Sequence, residues 1–413
     1  MTDPERRFEW RSIVLIAFLP TLLFSIGEGA IIPLIPLAAD NLGATLAIAG
    51  VVAAMVTLGE LVGDIPSGVI VARIGERTAM IGAAGVAVAG LLVSLVASTP
   101  LVLGVGIFLV GLASAVFALA RHAFLTSYVP LEFRARALST LGGTFRLGYF
   151  VGPFLSAAVI SVTGSVAAAF WIFVVGCAGA VVTLLALPDP EATFEAVRRS
   201  RKSLTAGERF VADEATGLGA TLARNRGLLL RLGSGSALIA ALRAGRQVVL
   251  PLWAVSIGLP EAETAIIIGI AGAVDFALFY TGGQIMDRFG RLWTAAPSVI
   301  GLGVGHLALA FTHDLLTREG WFIALAIFLS LANGIGAGIL MTLGADLAPP
   351  GNPAPFLGAW RFTNDSGGAA APLLIAGLTA VASLPLAVGV LGVLGFVGAG
   401  ALIRYLPRYS PRT

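Results

Sequence analysis

Glu28, Glu60, Asp275 and Asp365 among the acids, and Arg146, Arg243, Arg246 and Arg361 among the bases, each interrupt a long run of apolar residues. At the centre of a bilayer an ionised side chain costs about 2.5–3.5 kcal/mol even on lenient insertion scales, so it is kept only where it pairs, meets water or works. The acids match the bases in number, as pairing across a shared aqueous cavity requires. Arg243, Arg246 and Gln247 stand at i, i+3 and i+4 and share one helix face. Arg361 and Asp365 are one turn apart, with Asn364 and Trp360 beside them. The chemistry open to such a set is recognition of an acidic group by the planar arginine fork and carriage of a proton by a carboxylate held out of water.

Asp275 alone cannot neutralise both Arg243 and Arg246, which leaves one of them for an anionic group or for Glu28. The proton-handling candidates are Glu28, in Gly27-Glu28-Gly29 ahead of Pro33, its rival Glu60, and Arg146 as a basic partner. For Arg361 and Asp365 an intrahelical ion pair that only steadies the fold is as good an account as contact with a bound molecule. Asn333, Trp253, Phe276, Tyr280 and Trp360 are the remaining candidates to line a cavity.

Other chemistry has little support. Cys177 is the only cysteine, which excludes a disulfide within the chain and a cysteine-built metal site. His122, His306 and His313 lack ligand spacing, and no Ser-His-Asp, H-E-x-x-H or paired-carboxylate motif is present. His122 beside Arg121 is the one hint of an enzyme. No metal and no cofactor is expected. The sequence pI near 9.4 follows from basic loops, not from a nucleic-acid partner.

The elements that hold these residues follow from hydropathy. Hydrophobic residues make up 57% of the chain and charged residues 12%, against roughly 45–50% and about 25% in soluble domains. The surplus must face lipid. A bilayer core about 30 Å thick takes roughly 20 apolar helical residues. Apolar runs then place spans at 12–36, 47–70, 79–97, 101–124, 137–160 and 167–187, and again at 229–257, 263–284, 294–312, 320–345, 355–382 and 385–405. The first run is too long for a signal-peptide core and has no small-residue cleavage site, so it is the first span.

The expected domains are an N-terminal six-helix bundle at 1–187, a polar cytoplasmic linker at 188–228 and a C-terminal six-helix bundle at 229–413. Part of the linker, near Thr193–Leu204, suits an amphipathic helix on an anionic membrane surface. Arg6, Arg7, Arg11, Arg73, Arg77, Arg134, Arg136, Arg288, Arg291, Arg404, Arg408 and Arg412 fall on the linker's side. The opposite loops carry only Arg318, beside Asp40, Glu261, Glu263, Asp314 and Glu319. That bias puts both termini and the linker in the cytoplasm. The bases are almost all arginine, with Lys202 the only lysine, the usage of a GC-rich bacterial genome, and so of a multi-pass protein of the bacterial inner membrane.

The two span sets repeat each other. After the second span the chain reads Gly68-Val-Ile-Val-Ala72-Arg73-Ile-Gly75-Glu76-Arg77, and after the eighth Gly283-Gln-Ile-Met-Asp287-Arg288-Phe-Gly290-Arg291. The second copy matches G-x-x-x-D-R-x-G-R, the signature loop of the major facilitator superfamily, which the chain resembles over nearly its whole length. In the first copy Ala72 replaces the aspartate, for which Asp64 is a substitute, and Glu76 stands where a base is expected. Gly148-Tyr-Phe-Val-Gly152-Pro153-Phe-Leu-Ser156-Ala157 resembles the G-x-x-x-G-P-x-x-G-G motif of the twelve-span drug:proton antiporter branch, with Gly367 to Pro372 as an echo. The arginine that this branch carries early in its fourth span is Ile107 here, so Arg146 would have to take its role.

The resemblance implies an all-α membrane protein of twelve helices in two pseudo-symmetric six-helix bundles. It further implies a monomeric secondary transporter whose partners are a small-molecule substrate, protons and the lipid bilayer. Proton-coupled export of amphipathic molecules is the leading expectation. A carrier for a specific anionic metabolite, clamped by the buried arginines, is the alternative, and an integral membrane enzyme the distant third. The charges lie on spans that line or flank the family's cavity and avoid its third, sixth, ninth and twelfth spans. Substrate recognition is expected to lean on the second half and proton handling on the first.

Overall fold

A computed structural model describes residues 10–128, 131–186, 218–349 and 354–409. These residues form helices and short connecting turns, with no strand among them. In chain order the helices of seven or more residues are α1 (Trp10–Ile31), α2 (Ile35–Asn41), α3 (Leu46–Ile74), α4 (Glu76–Leu95), α5 (Pro100–Tyr128), α6 (Leu131–Thr163), α7 (Val166–Ala186), α8 (Leu218–Arg224), α9 (Ser234–Ile257), α10 (Glu261–Phe289), α11 (Arg291–Ala310), α12 (Arg318–Ile335), α13 (Ile339–Leu347), α14 (Ala354–Val381) and α15 (Leu384–Tyr409). Eleven of the predicted crossings are long and apolar enough to span a bilayer. The remaining one, α14, is long enough, but Arg361, Asn364 and Asp365 lie within it. The expected amphipathic helix at Thr193–Leu204 lies outside the described residues, as does most of the linker.

Two boundaries differ from the hydropathy expectation. The first span does not stop near Pro36: Pro33 opens a single 3-10 turn at Ile32–Leu34, and α2 carries the chain on to Asn41. The tenth span is not one helix. Gly334-Ile-Gly336-Ala-Gly338 opens it between α12 and α13. The break is apolar throughout, so hydropathy passes over it; the lost helix propensity of three glycines is its physical cause.

Packing repeats between the halves. In the first, α1 lies on α6 and α7, α3 on α5, and α4 on α5. In the second, α9 lies on α14 and α15, α10 on α12, and α11 on α12. Each pair of the first set has its counterpart in the second. Where two apolar helices meet in lipid, dispersion and close backbone approach hold them together, so small residues collect at the contact. The α6 glycines do this: a Cβ on Gly148 would lie 2.5 Å from the Ser25 Cβ of α1, and one on Gly152 would enter the α1 backbone around Ala30. Ser156, one turn on, donates to the Ala30 carbonyl at 2.7 Å.

The two halves meet along α6 against α10 and α3 against α14. The repeated loops behave as their glycines predict: Gly75 at φ 80° and Gly290 at φ 92° turn α3 into α4 and α10 into α11. An L side chain pays steric cost in that region of backbone space, which is why glycine occupies both.

Candidate functional site

Between the halves lie two adjoining cavities of about 330 and 370 Å³. Glu60, Arg243 and Gln247 line both, which makes them two lobes of one space. Lobe one runs between α3, α5, α9 and α14, with Asp64, Ser114, Arg361, Asn364 and Asp365 in its wall. Lobe two runs between α1, α6, α9 and α10, with Phe145, Arg146, Tyr149, Pro153, Arg246, Asp275, Phe276 and Asn333 in its wall.

Asp275 is the hub of lobe two. Arg146 Nη1, from the other half, donates to its Oδ1 at 3.3 Å. Arg246 Nη2 and Asn333 Nδ2 donate to its Oδ2 at 3.2 and 2.6 Å. Arg246 also donates through Nη1 to Ser330 at 2.6 Å, and Arg146 lies over the Phe279 ring, 4.7 Å from its centroid.

The choice left open between Arg243 and Arg246 is thereby made: Arg246 takes Asp275. Arg243 reaches only a backbone oxygen, that of Gly336 in the break of the tenth span, at 2.6 Å. Its Nε is buried without a partner, and among the described residues no carboxylate pairs with it.

Lobe one holds a second charge cluster. Arg361 donates through Nη2 to Asp64 across the halves and lies 3.5 Å from Asp365 on its own helix. The intrahelical pair expected from spacing is present, and Asp64 adds the link between halves. Asn364 has a buried, unpartnered Oδ1.

Glu28 is 4% exposed and lines neither lobe. Ser114, which faces lobe one, donates to its Oε1; Tyr149, which faces lobe two, also hydrogen-bonds it. The rings of Phe24, Phe117 and Phe173 interlock one turn before it, at centroid distances of 4.1 and 4.9 Å from Phe24, and fix α1 against α5 and α7. Glu60 differs: it is half-buried, faces both lobes, and makes no hydrogen bond or ion pair among the described residues.

Several expected positions are corrected. Arg146, a proton-handling candidate, is bound across the seam by Asp275. The cation that Glu28 feels is Arg121 of α5, a residue that sequence reasoning set aside. Its signal was its place three residues before the predicted end of the fourth span. Tyr280 is 75% exposed and lines neither lobe: Phe279 turns in under Arg146, and the next residue, about 100° around the helix, turns out. Trp360 is buried outside both lobes, donating to the Leu340 carbonyl at 2.8 Å and so tying α14 to α13. Trp253 is fully buried, edge-on to His313.

In the first repeated loop Gly68 lies inside α3, Arg73 is exposed, and Arg77 donates to the Leu184 carbonyl near the end of α7. In the second, Gly283 lies inside α10, Asp287 is exposed and Arg288 sits over Phe289. Arg291 makes the bridge there, donating to Asp346 of α13 at 2.8 Å and lying 3.8 Å from Asp287.

A charged, partly open cavity between two repeated helix bundles is an architecture for moving a molecule across a membrane, and the sequence comparison agrees. Residues 17–372 match the family model for the Major Facilitator Superfamily. The chain belongs to the major facilitator superfamily. No curated protein sequence matches it. Among solved structures, a POT family transporter in complex with a thioalcohol-conjugated peptide superposes with a TM-score of 0.77 at 13% identity, covering 97% of this chain and 96% of that one. A POT family transporter bound to 5-aminolevulinic acid gives 0.76 at 12% identity, covering 97% and 96%. The E. coli xylose transporter XylE, partially occluded and inward open, gives 0.69 at 15% identity, covering 96% and 99%. At these identities the likeness establishes the fold alone. This superfamily member is a multi-pass membrane protein, and family and fold point to a transporter rather than an enzyme.

Proposed function

We propose that the protein is a proton-coupled secondary transporter for a small molecule with an acidic group. In this reading residues 1–187 and 229–413 move as two bundles, joined by the 188–228 linker, and expose the central cavity to each side in turn. The protein works as a monomer in the bacterial cytoplasmic membrane with both termini and the linker inside.

The observation that carries the anion reading is Arg243. A guanidinium at membrane depth is retained at a cost only for a purpose; Asp275 is already engaged by Arg146 and Arg246, and among the described residues no carboxylate pairs with Arg243. Arg243 faces both lobes beside Gln247, so an incoming carboxylate or phosphate meets a fork and an amide together. Glu28 is the proton carrier in this scheme. It is closed off from the cavity by the two hydroxyl groups that hydrogen-bond it, Ser114 toward one lobe and Tyr149 toward the other, and these give a proton a route that the substrate does not use.

A second reading, export of amphipathic molecules, is favoured by the aromatic residues Phe145, Tyr149 and Phe276 in lobe two and by the Gly148-Gly152-Pro153 face of α6. One experiment separates the two. Proteoliposomes carrying an imposed pH gradient of either sense are tested with a panel of organic anions and of cationic dyes. Transport of anions, lost in Arg243→Gln, is the expected result, and the sense of gradient that drives it gives the direction. Transport of cationic dyes with no organic anion able to compete would sink the anion reading.

A further inference from the structure

The two lobes have opposite electrical character, and this narrows the substrate beyond an acidic group. Apart from the shared residues, lobe one presents Asp64 and Asp365 against Arg361, a surplus of acid. Lobe two presents Arg146 and Arg246 against Asp275, a surplus of base. The shared residues follow the same order. The charges around Glu60 are those of Glu28, Asp365, Asp64 and Arg361, whereas those around Arg243 are Arg146, Asp275 and Arg246. Each pole thus ends in a charge of the same sign as its surplus, and among the described residues neither of these two groups has an ion-pair partner: Glu60 makes no ion pair, and Arg243 holds only the Gly336 carbonyl. They face one space without reaching each other.

We infer that the cavity is built for a zwitterion, a molecule carrying a protonated amine as well as an acidic group. The amine lies in lobe one on Glu60, with the buried, unpartnered Oδ1 of Asn364 as a second acceptor. The acidic group lies in lobe two on Arg243 and Gln247. Buried polar atoms without partners are rare in folded proteins and mark places where a partner arrives. A simple anion would satisfy Arg243 and leave Glu60 beside two other carboxylates; a simple cation would do the reverse. Only a molecule with both charges relieves the like-charge repulsion at each pole, and at low dielectric that relief is large.

This inference rests on the anion reading proposed above, and the test keeps the two apart. The purified full-length transporter in nanodiscs is titrated with matched sets of probes. The zwitterions are γ-aminobutyrate, ε-aminohexanoate and phenylalanine; their anion-only partners are butyrate, hexanoate and phenylpropanoate; their cation-only partners are butylamine, hexylamine and phenethylamine. The expected result is that at least one zwitterion binds about tenfold tighter than either of its partners, a difference of about 1.4 kcal/mol. In Glu60→Gln the zwitterion falls to the affinity of its anion-only partner. In Arg243→Gln it falls to that of its amine. Each comparison is a ratio within one variant, and a size-exclusion profile matching the parent protein shows that the variant has folded.

Anion-only probes binding as tightly as zwitterions, or a ratio unmoved by Glu60→Gln, would overturn the zwitterion inference and leave the anion reading standing. Amine-only probes binding as tightly as zwitterions would overturn both. Binding by none of the probes would overturn the zwitterion inference.

Discussion

Arg246 and Asp275 form an ion pair at 3.2 Å, and this one contact decides what Arg243 is left to do. The two arginines share a face of α9, one turn apart, and among the described residues Asp275 is the only carboxylate that pairs with either. Asp275 is fully occupied, because Arg146 takes its other oxygen from the opposite half of the molecule and Asn333 adds a third donor. The cluster therefore has two jobs. It neutralises charge in lobe two, and it joins α6 to α10 across the seam between the bundles.

Asp275→Asn tests the first job. Breaking a buried pair from one side leaves uncompensated charge and costs about 3 kcal/mol or more, and here two arginines lose their counter-charge. The side chains are 11–24% exposed, so the lower end of that range applies. The expected outcome is a clear fall in thermal midpoint in detergent. Adding Arg146→Gln to the same chain should restore part of it, and the coupling energy read from the double-mutant cycle should exceed that of a surface pair. A midpoint unchanged in Asp275→Asn would show that the cluster contributes nothing to stability.

Arg243 should behave in the opposite way. Its one hydrogen bond among the described residues is to a backbone carbonyl, so Arg243→Gln is expected to leave the thermal midpoint within about 1 kcal/mol of the parent while abolishing transport of organic anions. Arg243→Lys keeps the charge but not the fork, and should recover only a fraction of the affinity, seen as a rise in KM of at least about tenfold. Equal KM values for the arginine and lysine forms would mean that charge alone is recognised there.

Much of this was legible before any coordinates. The spans follow from hydropathy, and the Gly75 and Gly290 turns were visible as a repeated loop. The competition of Arg243 and Arg246 for Asp275 needed only helix spacing and charge arithmetic. What escaped is azimuth and register between distant segments. Hydropathy does not say which way an aromatic faces, so Trp253, Trp360 and Tyr280 were assigned to a cavity none of them lines. Asp64 pairs with Arg361, far away in the chain and on the other bundle, and no local pattern reports that. Arg121 sits near the end of an apolar run beside His122 and so resembles a loop charge, although folding brings it to Glu28. The break at 336–338 did leave a trace, in three glycines spaced two apart.

Glu28→Gln tests coupling. Glutamine keeps the shape and can still hydrogen-bond Ser114 and Tyr149, but it cannot release a proton. Transport driven by a pH gradient in proteoliposomes should disappear, while counterflow, in which labelled substrate exchanges for unlabelled with no gradient, should continue at a comparable rate. Gradient-driven transport that survives in Glu28→Gln would remove Glu28 as the carrier and return the role to Glu60.

The α6–α1 contact offers a comparison between two glycines on one helix. Gly152 is pressed against the α1 backbone, where even a methyl group has no room, whereas a Cβ at Gly143, about two and a half turns earlier, would meet nothing within 4 Å. Gly143→Ala should therefore be neutral or slightly stabilising, since alanine is the better helix former by about 1 kcal/mol. Gly152→Ala forces α6 away from α1 and should cost about 1–3 kcal/mol as an overpacked site. It should also disturb the Tyr149–Glu28 bond, because both residues lie on the two helices being pushed apart. A pair of thermal midpoints is enough to see the first effect, and the gradient-driven assay reads the second: Gly152→Ala should lose coupling in excess of its loss of stability, and equal behaviour of the two alanine variants would show that the glycine face is dispensable.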